Sequence, residues 1–159
     1  MSAPEIIKKL KLIPHPEGGF YKETYKSDQN VTTNNGIHRN VCTAIYYLLE
    51  NKDKSLFHRI KSDELWFFHQ GNPIEIIFIQ NNLISSIILG NDIEKGEFPQ
   101  VRIPANTWFA AKIINDSGYS LVSCVVAPGF DFADFQLAKK EDLINDYPNL
   151  KKIINKFTL

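Results

Sequence analysis

Through most of this chain the apolar residues come in short runs, not in long helical stripes. From residue 41 to residue 127 the runs are VCTAIYYLL, SLFHRI, ELWFFH, IEIIFIQ, LISSIIL, QVRIP, TWFAAKII and SLVSCVVA. Turn-forming residues separate them at 51–54, 71–73, 81–82, 90–92, 104–106 and 115–118. Many short strands with turns at near-regular spacing predict an antiparallel sandwich or barrel. Asn81 and Asn82 join two runs by themselves, and asparagine tolerates the left-handed backbone of a tight hairpin. Upstream, FYKETY alternates: Tyr21, Glu23 and Tyr25 are predicted on one face, and Phe20, Lys22 and Thr24 on the other.

The two ends follow a different period. SAPEIIKKLK opens with Ser2, has Pro4 in its first turn and Glu5 three residues after Ser2, then carries Ile6, Ile7 and Leu10 on one stripe. KKEDLINDYPNLKKIINKF spaces Leu143, Leu150, Ile153 and Ile154 as a helix does, and Pro148 divides it in two. Residues 26–40 are polar and without helical period, which predicts a long loop of the kind that is often functional. One domain over 1–159 is therefore expected, with an all-β core at about 18–137 and helical ends at 3–11 and 139–157.

Composition narrows the function classes. The chain is 43% hydrophobic and 12% aromatic, too apolar for a disordered protein. Basic and acidic residues number 18 each, and the one dense basic cluster, Lys8, Lys9 and Lys11, reads as the wet face of the first helix. No basic stripe suits a nucleic acid, and no apolar run reaches the length of a signal peptide or membrane span. The expectation is a cytoplasmic protein with neither nucleic-acid nor membrane partner. Cys42 and Cys124 lie in strand-like runs without metal-type spacing and read as buried free thiols.

The stretch HRIKSDELWFFHQG, residues 58–71, resembles the first motif of the cupin superfamily: His58, then Glu64, then Gly71. Ile60 stands where that motif has a second histidine. RIPANTWFAAKI is similar to the second motif, with Pro104 in place, Asn106 for its glycine and Phe109 for its histidine. PHPEGGFYKETY, TAIYYLL, HRIKSDELWFF, IPANTWFAA and VAPGFDFADFQL together resemble one cupin branch of unknown function. The resemblance implies a double-stranded β-helix, the cupin jelly-roll barrel, with short N- and C-terminal α-helices, an internal ligand pocket and commonly a homodimer.

A cupin metal site would here be built from His58, Ile60, Glu64 and Phe109, two of which cannot coordinate; His58 and Glu64 are the two ligands left. Catalytic metals usually have three protein ligands, so no cofactor is expected. A metal-dependent variant would draw on His15 or His69. Metal-free acid/base chemistry fits better: a carboxylate raises, and burial lowers, the pKa of an imidazole, which can leave it titrating near neutrality. In that reading His58 is the base and Glu64 orients it, and Tyr21, Tyr46 or Tyr25 returns the proton. Glu23 and Arg39 would hold a polar or anionic ligand, Arg39 by a bidentate contact, and Trp66 and Trp108 would offer ring faces to a sugar. The plain alternative is that His58 and Glu64 only bond one another, and that both tryptophans are core.

Gly18 and Gly19 read as a backbone bend, while His15 and Glu17 beside them are open to either role. PGFDFADF reads as packing, with Asp131 and Asp134 capping or pairing locally. The function expected is binding of a small molecule, a carbohydrate or nucleotide-sugar, with epimerase- or isomerase-type proton transfer. Its rival is a non-catalytic binding or sensing protein using the same pocket.

Overall fold

Strands fill the middle of the chain and helices its ends in the computed structural model, which describes residues 1–159. In chain order the elements are α1 (Ala3–Leu10), β1 (Ile13–Pro14), β2 (Phe20–Lys26), β3 (Asn30–Thr32), β4 (His38–Asn40), β5 (Thr43–Glu50), β6 (Lys54–Arg59) and β7 (Asp63–Gly71). There follow β8 (Ile74–Gln80), β9 (Leu83–Leu89), β10 (Gln100–Ile103), β11 (Trp108–Ile113), β12 (Tyr119–Ala127), β13 (Gln136–Leu137), α2 (Lys140–Asp146) and α3 (Lys151–Lys156). Asn81 and Asn82 turn β8 into β9 with φ of 51° and 60°, the left-handed geometry expected of them. Ser2 N–H donates to Glu5 Oε2 at 2.7 Å, which fixes the start of α1.

Two antiparallel sheets face one another, one in the order β1-β2-β5-β12-β7-β10 and the other β13-β6-β11-β8-β9. This is the expected double-stranded β-helix. Residues that alternate inward from both sheets, among them Trp66, Ile76, Phe78, Val101, Phe109, Ile113 and Val122, form the main core. The outward faces are covered by the helical ends. α1 lays Ile6 against Leu48 and Leu121. On the other side α2 and α3 bury Phe57, Ile77, Ile79 and Trp108 under Leu143 and Ile154.

Three strands break alternation, each by one extra residue. In β2 the register slips between Glu23 and Tyr25, so Thr24 is bulged and Tyr25 turns out to 54% exposure. The expectation that Tyr25 shares a face with Tyr21 and Glu23 therefore fails. In β6 the four residues from Ser55 to His58 span only three of β11, Phe109 to Ala111, so that both Ser55 and His58 face inward. In β7 the bulged residue is His69. Residues 26–40 are not one loop: β3 and β4 pair as a small hairpin, Asn30 with Asn40 and Thr32 with His38. Its strands are polar on both faces, so no alternation marks them in the sequence.

Candidate functional site

At one end of the space between the sheets the side chains do not meet, and a cavity of about 250 Å³ remains. β2 lines it with Tyr21 and Glu23, β5 with Thr43, Ile45 and Tyr47, and β12 with Cys124 and Val126. His58 and Ile60 enter from β6 and its end, Glu64 from β7, and His15 and Glu17 from the loop before β2. Phe130, Phe132 and Phe135, on the segment after β12, close the remaining side.

The HPEGG loop is fastened by its backbone. Leu56 N–H donates to Glu17 O at 2.8 Å and Tyr47 Oη–H donates to Gly18 O at 2.7 Å. Gly18 has φ of 109° and a Cβ there would lie 2.1 Å from Lys54 O, so glycine is required. Glu17 is thereby driven inward, where Ser55 Oγ–H donates to its Oε1 at 2.9 Å and His58 Nε2–H faces its Oε2 at 3.0 Å. On the other side of the ring His58 Nδ1–H donates to Leu56 O at 2.7 Å.

Both His58 nitrogens thus face acceptors, which favours the doubly protonated ring. Burial opposes the charge, but the charge and hydrogen bond of Glu17 outweigh it and hold His58 above its usual pKa. Burial likewise pushes Glu17 up, and His58 more than reverses that, so Glu17 stays ionised. Glu64 is different. Burial raises it to about 7, and His58 relieves only part of the cost while Glu17 adds to it. The indole N–H of Trp66 lies near enough to favour the Glu64 carboxylate without completing a hydrogen bond. His15 is lowered, chiefly by burial. Its Nδ1 accepts from Glu17 N–H at 3.2 Å, which identifies a neutral ring carrying its proton on Nε2.

Of the candidate residues, His58, Glu64, Tyr21 and Glu23 line the cavity. The expected arrangement of the first two is corrected: the carboxylate that orients His58 is Glu17, and His58 has no free lone pair with which to act as a base. Tyr46 lies on the outward face of β5 beside the α1 cluster, opposite Tyr47. Arg39 is spent on Asp134, its Nε and Nη2 donating at 2.7 and 2.9 Å, so it presents no fork to a ligand. Trp66 does share the inward face of Glu64 but is 1% exposed and packs in the core without reaching the cavity. Trp108 faces outward under the C-terminal helices, with the Arg59 guanidinium 4.5 Å from its ring. His69 is exposed, bonded to Ser123 Oγ at 2.5 Å, and remote from the site. Cys42 is only half-buried.

Sequence reasoning passed over two contributors. Glu17 was open to either role and proves to be the counter-ion of His58. The Phe130–Phe135 segment, read as packing, supplies the aromatic wall; three phenylalanines in six residues without periodicity were the available signal. Asp131 does cap locally, accepting from Ala133 N–H at 2.8 Å, whereas Asp134 reaches back to the β3–β4 hairpin.

The donor set does not suit a metal ion. Of the positions a metal-binding cupin uses, Ile60 offers hydrocarbon to the cavity and Phe109 lies with its ring 4.1 Å from that of His58. No three His, Cys, Asp or Glu side chains converge on one point, and the His15 lone pair is already taken.

Residues 4–138 match a protein family described as Cupin superfamily (DUF985). An uncharacterized protein of Saccharomyces cerevisiae, YML079W, is 31% identical over 156 residues, covering 89% of this chain and 77% of its own. Among solved structures, a hypothetical protein from Leishmania major is similar with a TM-score of 0.93 and 34% identity over 99% of each chain. Protein SO0799 from Shewanella oneidensis has a TM-score of 0.91 and 37% identity, covering 100% of this chain and 98% of that one. No helix is long and apolar enough to cross a membrane.

Proposed function

We propose, for a chain that belongs to the Cupin superfamily (DUF985) family, that the barrel cavity binds a small polar molecule and moves a proton on it without a metal ion, as an isomerase or epimerase does. The observation that carries this reading is Glu64. It lines the cavity, is 7% exposed and is held at about 7, where a carboxyl exists in both its forms at neutral pH. Glu17 and His58 serve it as a fixed ion pair that maintains the local field.

The step is simple in outline. A carbon beside a carbonyl gives its proton to the Glu64 carboxylate, and the C–H electron pair moves onto the carbonyl oxygen. The electron pair then returns from the oxygen as Glu64 itself, or Tyr21 O–H, gives a proton to carbon; in the second case the proton held by Glu64 passes to the Tyr21 oxygen through solvent, so ligand and protein both keep their composition. His15 Nε2–H is a neutral donor for the oxygen. The ligand is smaller than a nucleotide-sugar: at about 250 Å³ the cavity falls below the roughly 300–1,000 Å³ typical of larger ligands, and no lysine or arginine lines it to meet a diphosphate.

The test is hydrogen exchange into a panel of aldoses, ketoses and amino sugars in D2O, followed by NMR. The expected result is deuterium beside the carbonyl of at least one compound, lost in Glu64→Gln. A panel that shifts the melting temperature but gains no deuterium would support the non-catalytic binding protein instead.

A further inference from the structure

The Glu17–His58 pair cancels its own charge, at a separation of 3.0 Å. That leaves Glu23 and Glu64 as the carboxyls that line the cavity with no protein cation in ion-pair contact, and Glu64 is more than nine-tenths buried. Three phenylalanine rings line the same cavity. Phe130 and Phe132 meet edge to face at 4.9 Å between centroids, Phe132 and Phe135 at 6.0 Å, with interplanar angles of 83° and 77°. Rings set near right angles around a space present both faces and edges to it, and carboxylates lining the same space select for positive charge.

We infer that the ligand is a small organic cation, an ammonium or methylated ammonium compound, whose charged end is held between the phenylalanine wall and the free cavity carboxyls. The inference deepens the proposed function and rests on the same cavity. An anion would be repelled by both free carboxyls. Phe132 is 51% exposed, so its ring stands at the cavity opening, where an incoming cation meets it first.

The experiment is calorimetric titration of choline and tetramethylammonium against 3,3-dimethylbutan-1-ol, the uncharged counterpart of choline with nearly the same shape. Choline is expected to bind roughly ten-fold or more tightly than the alcohol. Phe132→Ala and Glu23→Gln should each weaken choline several-fold while the unliganded melting temperature stays in place. Equal binding of choline and the alcohol overturns the inference, and so does the absence of binding by both ammonium probes. Either result leaves the proton-transfer reading standing if neutral sugars still gain deuterium in a Glu64-dependent way. Choline selectivity without any deuterium gain would have the opposite meaning.

Discussion

The two ends of the space between the sheets are built from the same two sheets and do opposite things. At one end Ile74, Ile76, Phe78, Leu89, Val101 and Ile113 meet across the gap and leave no room. Their strands β8, β10 and β11 keep strict inward–outward alternation along their pairings with β9, β7 and β8. At the other end β2 and β6 each carry an extra residue, and the side chains they deliver are Tyr21, Glu23, Ser55 and His58. Regular strands make core, while the β6 bulge turns inward a polar side chain that alternation would have sent out. Ser55 and His58 both reach Glu17 only through it.

Four changes would break or sharpen this contrast. Glu17→Gln should be the most damaging, since it leaves a buried imidazolium unpaired; a loss of about 3–5 kcal/mol is expected by denaturant unfolding at pH 7. The sign with pH follows from the two shifts. The contribution of Glu17, lowered, is lost as pH falls through its folded-state value, and that of His58, raised, is lost as pH rises through its own. The cost of the substitution should therefore shrink on both sides of neutrality. At the packed end, Ile76→Ala removes a fully buried side chain and should cost about 2–5 kcal/mol at every pH, with no such profile.

Glu64→Gln should do the reverse and stabilise the protein. A carboxyl raised from 4.5 to about 7 binds its proton more tightly folded than unfolded, so wild-type stability falls as pH climbs through that window. Above pH 8 the amide should be more stable than wild type by roughly 3 kcal/mol, and at pH 4 the two should match. A melting curve of both proteins at the two pH values checks it. Smallest of all, Phe132→Ala at the cavity opening should change stability by less than about 1 kcal/mol, because half of its ring is already in water.

How far the sequence could be read follows the same division. Short apolar runs bounded by turn residues located β5 to β12 to within a residue or two, and Asn81-Asn82 identified its hairpin. Parity within β7 correctly put Glu64 and Trp66 on one face. Parity failed at Tyr25, beyond the β2 bulge, and said nothing of Ser55 and His58 together, since a bulge leaves no mark in composition. Tyr46 and Trp108 could not be given a face from the sequence for a related reason: both sheets bury their outward faces as well, under helices, so a large aromatic does not reveal which side it occupies. Glu17 and the Phe130–Phe135 wall come from irregular segments, where no period exists to be read.

The His58 ring has a further consequence for how the cavity can be watched. Its two N–H protons lie in hydrogen bonds of 2.7 and 3.0 Å, on a side chain with almost no contact with solvent. Protons so held trade places with water slowly and resonate far downfield, apart from the crowded amide region. The imidazolium is thus a resident spectroscopic reporter on the same cavity wall as Glu64. Its exchange lifetime gauges how often the phenylalanine wall lets water in.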